Sequence, residues 1–530
     1  MNIELPYSSG RQPVLGRNVV STSQPLAAQA GAAAFLRGGN AVDAALAAAI
    51  TLTVVEPVMN GIGGDAFALV WDGQRLNGLN SSGRSPAAWT PERFKGLEAM
   101  PMRGWESVTV PGQVAGWVAL SERFGLLPFE DLFLDAIRHA RDGFPVSPVI
   151  SRQWEQSVRD LYTYPGFTEF MPGGRAPKAG ETWRFEAQAQ TLEDIARTNG
   201  ESFYRGRLAQ SICDFAKEHG AVLDIKDLAN HEAEWVTPIS TAFRGHEIHE
   251  IPPNGQGLAA LIAIGLLEQL PLEEFKKGSA TRMHLEIEAM RLAFADLQAY
   301  VADPAHMMVR ASDLLDTEYL KHRAKEIDFR RAGNPGPGKP TSGGTVYLCA
   351  ADSNGMMVSF IQSNYRGFGS GVVVPNTGIS LHNRGSGFVT TPGHANQVDG
   401  SKKPLHSIIP AFMTKGGKPL MAFGVMGGNM QAQGHTQMVM RRVLEGDNPQ
   451  ACSDAPRWRI NDNAELTLEP TVCSSVAEEL QAMGHTPTVL EFNNLDFGSA
   501  QLIEKLPAEG RLAAYVAGSD HRRDGQAVAC

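Results

Sequence analysis

A run rich in proline and glycine, "RRAGNPGPGKPTSGG" at residues 330–344, divides the chain. Proline removes a backbone donor and glycine adds backbone freedom, so this run can form neither a helix nor a central strand. An apolar strand, "TVYLCAA", follows at once from residue 345. The run therefore predicts an exposed connector that ends in two glycines and leads a threonine into the start of a strand.

Hairpins and helices alternate on both sides of this connector. An Asp72-Gly73 turn joins two apolar runs, which is a strong hairpin signal. Two further hairpins are predicted over residues 345–365 and 407–428, and the stretch 110–330 is mainly helical by its apolar spacing. We therefore predict an α+β fold with four layers, an αββα sandwich in which two facing sheets lie between helical layers.

Two helices should precede the first hairpin. "TSQPLAAQAGAAAFLRGG" predicts a helix capped by Ser23 with Pro25 in its first turn, and "NAVDAALAAAITLTVVEP" predicts a second helix that begins at Asn40. Small residues dominate the second helix. This composition indicates that a neighbouring layer packs closely against it.

Charge and composition narrow the class of ligand. The net charge of −10 argues against nucleic acid and anionic membranes, which reward clustered Lys and Arg, so small molecules are the expected ligands. The N-terminus lacks a secretory signal pattern and no stretch is long and apolar enough to span a bilayer, which favours a cytoplasmic protein. Five dispersed cysteines and the lack of HExxH predict no metal. Pro340 breaks a spacing like that of a phosphate-binding loop, so no cofactor is expected.

The Gly344-Thr345 bond has the features of a self-cleavage site. The Thr345 hydroxyl could attack the Gly344 carbonyl, which glycine leaves sterically open, and water would open the resulting ester. Cleavage frees an α-amine on Thr345, and a pKa of about 7.7–8.0 lets this amine deprotonate the hydroxyl of its own residue. A chain without a GxSxG elbow then needs no separate histidine base. The alternative is an ordinary β-branched residue after a glycine turn.

Ordered segments along nearly the whole chain resemble the γ-glutamyltranspeptidase family, also called glutathione hydrolases, of the N-terminal-nucleophile hydrolase superfamily. These segments are "LRGGNAVDAALAAAITLTVVEPVMNGIGGDAFALV", "VTVPGQVAGWVAL", "DGFPVS", "GGTVYLCAADSNGMMVSFIQSNYRGFGSGVVVPNTGISLHN", "KKPLHSIIPAF", "GVMGGNMQAQGH" and "AGSDHRRDGQA". The resemblance implies the four-layer fold of that superfamily. It also implies self-cleavage into a large chain, residues 1–344, and a small chain, residues 345–530, which build one globular unit.

The resemblance further implies catalytic residues. Thr345 takes the nucleophile position, with Gly344 on the other side of the cleaved bond, and Ser363 lies where the family usually has a threonine that supports the nucleophile. Gly427 and Gly428 match the pair whose backbone N–H groups form the oxyanion hole, where glycine lets the backbone approach a developing charge. By pattern alone, this glycine pair predicts a turn.

Positions for substrate binding partly follow the family pattern. Arg84 matches the arginine that grips the α-carboxylate of a glutamyl group, where a planar fork gives bidentate geometry. Arg384 and Gly387 stand where the family has amide and acidic side chains for the α-amino group, so the site for the substrate's cationic group is altered. The remaining implied contacts are Tyr365, in place of an asparagine, and the pair His406 and Ser407, in place of two serines.

Three functions fit these features. The leading one is an autoprocessing γ-glutamyltranspeptidase-like amidohydrolase; the stretch 388–404 is short for the family's lid, so hydrolysis should dominate transfer. A glutaryl-amide acylase of the cephalosporin type needs Arg84 but no α-amino contact, and Gly387 favours it. An unprocessed, inactive binding protein is the third. The expected partners are small-molecule γ-glutamyl or glutaryl amides, with no nucleic acid and no membrane, and the self-cleaved heterodimer could assemble into homo-oligomers.

Overall fold

The structure is a computed structural model that describes residues 10–333, 344–461, 464–491, 495–507 and 512–530. Its strands are β1 Val14–Gly16, β2 Val19–Thr22, β3 Asp65–Trp71, β4 Leu76–Ser81, β5 Phe144–Pro145, β6 Thr182–Trp183, β7 Glu234–Val236, β8 Ile239–Phe243, β9 His246–Glu250, β10 Gly344–Ala351, β11 Met357–Tyr365, β12 Val373–Val374, β13 Ile379–Ser380, β14 Ala411–Lys415, β15 Lys418–Met426, β16 Trp458–Ile460, β17 Leu466–Leu468, β18 Thr488–Val489, β19 Ser499–Lys505, β20 Tyr515–Ser519 and β21 Gln526–Ala529.

The helices are α1 Pro25–Leu36, α2 Ala41–Val55, α3 Gln113–Phe124, α4 Leu134–Asp142, α5 Pro148–Leu161, α6 Glu186–Arg197, α7 Glu201–Arg205, α8 Arg207–Glu218, α9 Ile225–Ala229, α10 Gly257–Glu268, α11 Ala280–Tyr300, α12 Ala311–Leu314, α13 Thr317–Ala324, α14 Met430–Val439, α15 Pro449–Asp454 and α16 Ser474–Ala482. Within the described ranges, none of them has both the length and the apolar character that crossing a membrane requires.

Two large sheets face each other at the centre of the fold. The first sheet has the order β1-β20-β19-β15-β14-β9-β8, and the second has the order β21-β2-β10-β11-β3-β4-β7. An apolar layer that includes Phe67, Tyr347 and Phe412 fills the space between them. Helices α10, α11 and α14 cover the outer face of the first sheet, and α1 to α8 cover that of the second. The predicted four-layer α+β sandwich is confirmed.

Residues on both sides of the predicted cleavage site contribute to each sheet. In the second sheet, β10 lies between β2 and β11, so strands from before and after residue 344 alternate. In the first sheet, β14 pairs with β9 in the same way. The division into chains of residues 1–344 and 345–530 therefore stays a prediction about one interleaved fold.

The capping predictions have different outcomes. Asn40 caps α2 through a capping box, and every residue of α2 is buried, as its small side chains predict. The prediction that Ser23 caps α1 is wrong. Gln24 is the cap, and its side chain accepts two backbone N–H groups of the first turn. The Ser23 hydroxyl donates instead to the buried Glu56 at 2.5 Å.

The stretch 110–330, predicted as mainly helical, also supplies strands to both sheets. β7 forms one edge of the second sheet, and β8 and β9 lie at one edge of the first. Their sequences, "EWV", "ISTAF" and "HEIHE", mix polar and apolar residues over only three to five positions. They have neither a regular alternation nor a continuous apolar run, so no strand pattern could be recognised there.

Candidate active site

The predicted cleavage site lies at the start of a central strand. Gly344 is the first residue of β10 and pairs with Tyr365 at the end of β11. The register then shifts between Gly344 and Val346, so Thr345 lies opposite a β-bulge of β11, where Ser363 and Asn364 together face one residue of β10. Residues 334–343, which hold most of the predicted connector, lie outside the described residues. The Gly344-Thr345 bond thus lies at the centre of the second sheet. Its cleavage stays a prediction.

Ser363 and Asp65 lie beside this position on the next two strands. Ser363 on β11 pairs with Asp65, the first residue of β3, and its Oγ accepts the Tyr365 N–H at 2.7 Å. Tyr365 has a φ of 77°, a left-handed conformation that bulky residues rarely adopt. Such backbone strain concentrates at functional sites. The end of the sheet that holds Thr345 therefore has the backbone features of a site.

The glycine pair forms the turn between β15 and α14. Gly427 and Gly428 have φ values of 127° and 62°, a region that favours glycine. The turn stands at the N-terminal end of a helix, where the backbone dipoles favour negative charge. Gln256 holds it in place, because its Nε2 donates to the carbonyl oxygen of Gly428 at 2.8 Å and also to that of Ser407. The oxyanion-hole role of the pair stays a prediction.

A cavity of about 180 Å³ joins these two motifs. Tyr365 lines it and pairs with Gly344, and Asn429 lines it and directly follows Gly428. The volume exceeds that of a single buried water many times over, so a small acyl chain fits. No carboxylate is present among the described residues that line it. Other lining residues are Gln256, Ser386, His406, Ser407, Leu297 and Phe388.

A buried aspartate organises the wall of this cavity. Asp65 Oδ1 accepts the Gly112 N–H at 2.8 Å, and Asp65 Oδ2 accepts from Nε2 of His406 at 3.0 Å. Burial opposes ionisation of Asp65, but His382, His406 and Arg384 outweigh it and hold the pKa below its usual value. Asp65 is therefore an anion at neutral pH.

The two histidines beside Asp65 use their ring nitrogens in hydrogen bonds within the protein, so neither can act as a base or a metal ligand. Burial, with the nearby charge of Arg384, lowers the pKa of His406 to about 3, so this ring is neutral at pH 7. Its Nδ1 accepts the Ile408 N–H at 3.3 Å, which leaves Nε2 as the N–H donor to Asp65. The lone pair of His382 is also used, because its Nδ1 accepts the Arg384 N–H at 3.1 Å. Neither ring offers a lone pair to a metal or a substrate proton.

Arg384 is a buried cation with unused donors. Its Nη1 donates to Ser407 Oγ at 2.7 Å, and its guanidinium carbon lies 4.6 Å from the centre of the Tyr365 ring. Nε and Nη2 have no hydrogen-bond partner in the described part of the chain. Burial lowers the pKa of Arg384 to about 10, so it stays protonated at pH 7. Unused donors on a buried cation are costly and favour an anionic ligand nearby.

Gly387 has no room for the acidic side chain that the family pattern would put there. A Cβ added to Gly387 would lie 2.6 Å from the carbonyl oxygen of Leu405, a contact that requires the backbone to move. The Gly387 carbonyl also accepts from Asn396 Nδ2 at 2.7 Å. The surrounding backbone therefore fits glycine at position 387 and leaves no space for an aspartate there.

Arg84 does not line the cavity that contains Tyr365 and Ser407. Its guanidinium is 45% exposed, and Nη1 lies 3.0 Å from Asp303 and Nη2 lies 3.3 Å from Glu234. It faces a separate polar cleft. The structure thus brings Ser363, Tyr365, Arg384, His406, Ser407 and the glycine pair together and leaves Arg84 apart, so its role as the carboxylate contact stays a prediction.

Three residues of this site went unassigned in the sequence: Asp65, Gln256 and His382. Asp65 stands in "NGIGGDAF" directly after two glycines and has no charged residues next to it in the sequence. An isolated acidic residue at the start of an apolar strand was the signal that could have identified it. Gln256 and His382 carried no signal of their own, because their partners lie far away in the sequence.

The chain matches the sequence profile of the family described as Gamma-glutamyltranspeptidase over residues 27–530. It is 35% identical to the glutathione hydrolase-like YwrD proenzyme of Bacillus subtilis over 97% of this chain and the whole of that protein. It is 34% identical to the oxamate amidohydrolase proenzyme of Klebsiella pneumoniae, over 91% of this chain and 93% of that protein.

A solved structure gives the same picture at the level of the fold. The crystal structure of cephalosporin acylase from Bacillus halodurans superposes with a TM-score of 0.94 at 45% identity, covering 100% of this chain and 99% of that one. The likeness therefore extends over all four layers, including the strands on both sides of residue 345.

Proposed function

From the premise that this chain belongs to the γ-glutamyltranspeptidase family of N-terminal-nucleophile hydrolases, we propose that it cleaves itself before Thr345 and then hydrolyses amides whose acyl group carries a carboxylate. The name proenzyme on its relatives supports self-cleavage. The observation that carries the substrate class is the buried, partly unpaired Arg384 behind the cavity wall.

Maturation follows from the place of the scissile bond. The Thr345 hydroxyl attacks the Gly344 carbonyl carbon, the C–N bond breaks, and the acyl group passes from nitrogen to oxygen as an ester. Water then hydrolyses the ester, which leaves a carboxylate on Gly344 and a free α-amine on Thr345. The β-bulge of β11 opposite Thr345 supports this step, because it breaks the regular ladder beside the reacting bond.

Turnover reuses the same hydroxyl. The α-amine of Thr345 takes the hydroxyl proton, the oxygen attacks the substrate carbonyl, and the proton passes to the departing amine. Negative charge on the tetrahedral oxygen would be stabilised by N–H groups of the turn at Gly427 and Gly428, where one lost donor typically costs ~10²–10³ in rate. Water then releases the acid and restores Thr345.

Acyl selectivity follows from the charge of the cavity wall. Ser407 lines the cavity and accepts a hydrogen bond from Arg384, so its own O–H remains to donate to a substrate carboxylate. Arg384 adds its positive charge from behind. The same charge repels an α-ammonium group, and no described residue of the lining supplies a carboxylate to hold one. We therefore favour a dicarboxylic monoamide such as a glutaryl amide.

A γ-glutamyl amide is the second candidate. Family membership and the names of several relatives support it. It differs from a glutaryl amide by one amino group. The distinction thus depends on whether this site recognises or merely tolerates an ammonium next to the carboxylate.

A comparison of two chromogenic substrates tests the proposal. Purified wild-type protein and the matched Thr345→Ala variant are assayed with glutaryl and γ-glutamyl p-nitroanilides under the same conditions. We expect hydrolysis of both by wild-type protein only, with the higher kcat/KM for the glutaryl substrate. A preference for the γ-glutamyl substrate would move the assignment to the second candidate, and inactivity on both would overturn the substrate class.

A further inference from the structure

A second cluster of polar side chains is buried far from the cavity. His284 and Glu288 lie one turn apart on α11, and His485 follows the end of α16. All three are at most 4% exposed. One ligand atom from each lies within 4.8 Å of the other two. Nothing in the proposed reaction uses them.

The hydrogen bonds of the cluster determine where its lone pairs are. His284 Nε2 lies 2.7 Å from the carbonyl oxygen of Asp328, so this nitrogen must carry the hydrogen. Nδ1 of His284 therefore has the lone pair, and it faces Nε2 of His485 at 2.7 Å. Glu288 Oε2 accepts the Gly333 N–H at 2.7 Å. Among the described residues, Glu288 Oε1 and His485 Nδ1 have no hydrogen-bond partner.

We propose that His284, Glu288 and His485 form a binding site for a divalent transition metal of the zinc class. Two imidazoles and one carboxylate are a ligand set that zinc accepts, with a fourth position open to water. The Asp328 carbonyl holds the His284 ring in the tautomer that directs Nδ1 at the metal, as outer partners of metal-bound histidines do. In the metal-free hydrogen bond His485 Nε2 carries the hydrogen, so metal binding moves that hydrogen to His485 Nδ1, which has no hydrogen-bond partner among the described residues. The two facing nitrogens then need only separate by about half an ångström to bind one ion at ordinary zinc distances.

Charged groups at the cluster both oppose and favour the binding of a metal ion. Arg291 opposes binding, because its Nη1 lies 3.7 Å from Glu288 Oε1. That nitrogen is also engaged by the Gly333 carbonyl at 2.9 Å. A bound dication would give Glu288 Oε1, which has the distant charge of Arg291 but no hydrogen-bond partner among the described residues, a direct ligand contact.

The position of the site gives it a structural role. His284 and Glu288 belong to the segment before residue 344, and His485 belongs to the segment after it. If the chain cleaves itself as proposed, the metal joins the two product chains. It also holds the last described residues of the large chain, since Asp328 and Gly333 bond directly to two of the ligands. This joining role rests on the proposed self-cleavage, whereas metal binding does not.

Direct metal binding tests the inference. Wild-type protein and the Thr345→Ala full-length chain are stripped with a chelator, dialysed and titrated with ZnCl2 and, for its visible absorption, with CoCl2. We expect one ion per 530-residue protein, whether cut or uncut, and a higher Tm with zinc than without it. Binding in both but an uncut wild-type chain would keep the site and overturn self-cleavage. No stoichiometric binding to either folded protein would overturn the site.

Variants locate the ion. Glu288→Gln and His485→Gln should each weaken zinc affinity by about tenfold or more and remove the zinc-dependent rise in Tm. His521→Gln is the matched control, because His521 is a partly exposed histidine paired with Asp454 at 2.9 Å. If either cluster variant misfolds, the other one and the cobalt spectrum of wild-type protein decide the question. Equal affinity in the cluster variants and the control would place the ion elsewhere and contradict the inference.

Discussion

Arg384 donates from Nη1 to the hydroxyl oxygen of Ser407 at 2.7 Å, so a buried guanidinium polarises a hydroxyl that lines the cavity. The negative charge of the nearby Asp65 acts on Arg384, and the Asp65 carboxylate accepts a hydrogen bond from His406 Nε2 at 3.0 Å. The site thus contains one fixed anion and one fixed cation with donors to spare. The proposal that the site binds a negatively charged acyl group depends on this cation.

Replacement of the nucleophile should stop maturation. Wild-type protein should give two bands whose second N-terminus is Thr345, whereas Thr345→Ala should remain one inactive chain. Thr345→Ser keeps a hydroxyl and an α-amine, so it should cleave more slowly and retain some activity. N-terminal sequencing of the small chain checks the site. A new terminus at any other residue contradicts the mechanism, and a full-length wild-type chain without activity favours the binding-protein alternative.

The two arginines can be distinguished by a matched pair of variants. Arg384→Met should lower kcat/KM for a glutaryl anilide by at least about thirtyfold, since loss of one buried charged partner costs ~2–5 kcal/mol. Arg84→Met should change it by less than about threefold, as for most exposed substitutions. The ratio of activity on glutaryl and uncharged butyryl anilides separates recognition from misfolding. A larger loss for Arg84 would return the carboxylate contact to the position that the family pattern predicts.

Gln256 should control the rate through the glycine turn. Gln256→Ala removes the donor that ties the Gly428 carbonyl to the Ser407 carbonyl, so the turn should lose its fixed position. We expect kcat to fall by about ten- to a hundredfold, part of the effect of an oxyanion donor, with little change in KM. Gln269→Ala, at the other end of α10, is the control. A change confined to KM would show that Gln256 acts in substrate binding instead.

His406 should make the free energy of unfolding fall more steeply as the pH is lowered. Its pKa is about 3 in the folded protein against an ordinary 6.5, so below pH 6.5 the unfolded state binds a proton that the folded state refuses. Stability conferred by the neutral ring is present above pH 6.5 and is lost as the pH falls toward 3, at up to about 1.4 kcal/mol per pH unit. Urea unfolding of His406→Asn in the uncut Thr345→Ala background should show a shallower slope. An unchanged slope would contradict the buried neutral ring.

Local patterns in the sequence predicted much of the fold. The Asp72-Gly73 turn, the hairpin between β10 and β11, and the Asn40 cap all depend on residues within a few positions of one another, and the structure has each of them. Ser23 failed as a cap because a distant partner, Glu56, bonds its hydroxyl. Strands β7 to β9 were not predicted, because most of their residues are exposed or only partly buried and form no apolar pattern.

The site was less predictable for the same physical reason. Asp65 acquires its role by meeting His406, which lies 341 residues away, and no local pattern encodes that distance. Arg384 was noticed only as a departure from the family. Its burial, and the two donors left unused, become visible only when the strands around it are assembled.

The alternation of strands from before and after residue 344 has a consequence for the life of the mature protein. Cutting one bond in such a fold leaves every sheet pairing in place, so the two products have no route apart without dismantling both sheets. An intact precursor refolds as one molecule, at a rate independent of its concentration. After the cut, refolding requires two separate unfolded chains to associate, and these chains expose apolar surface that is prone to aggregate. Maturation would thus turn thermal unfolding into a one-way event and give the active enzyme a lifetime set by its unfolding rate.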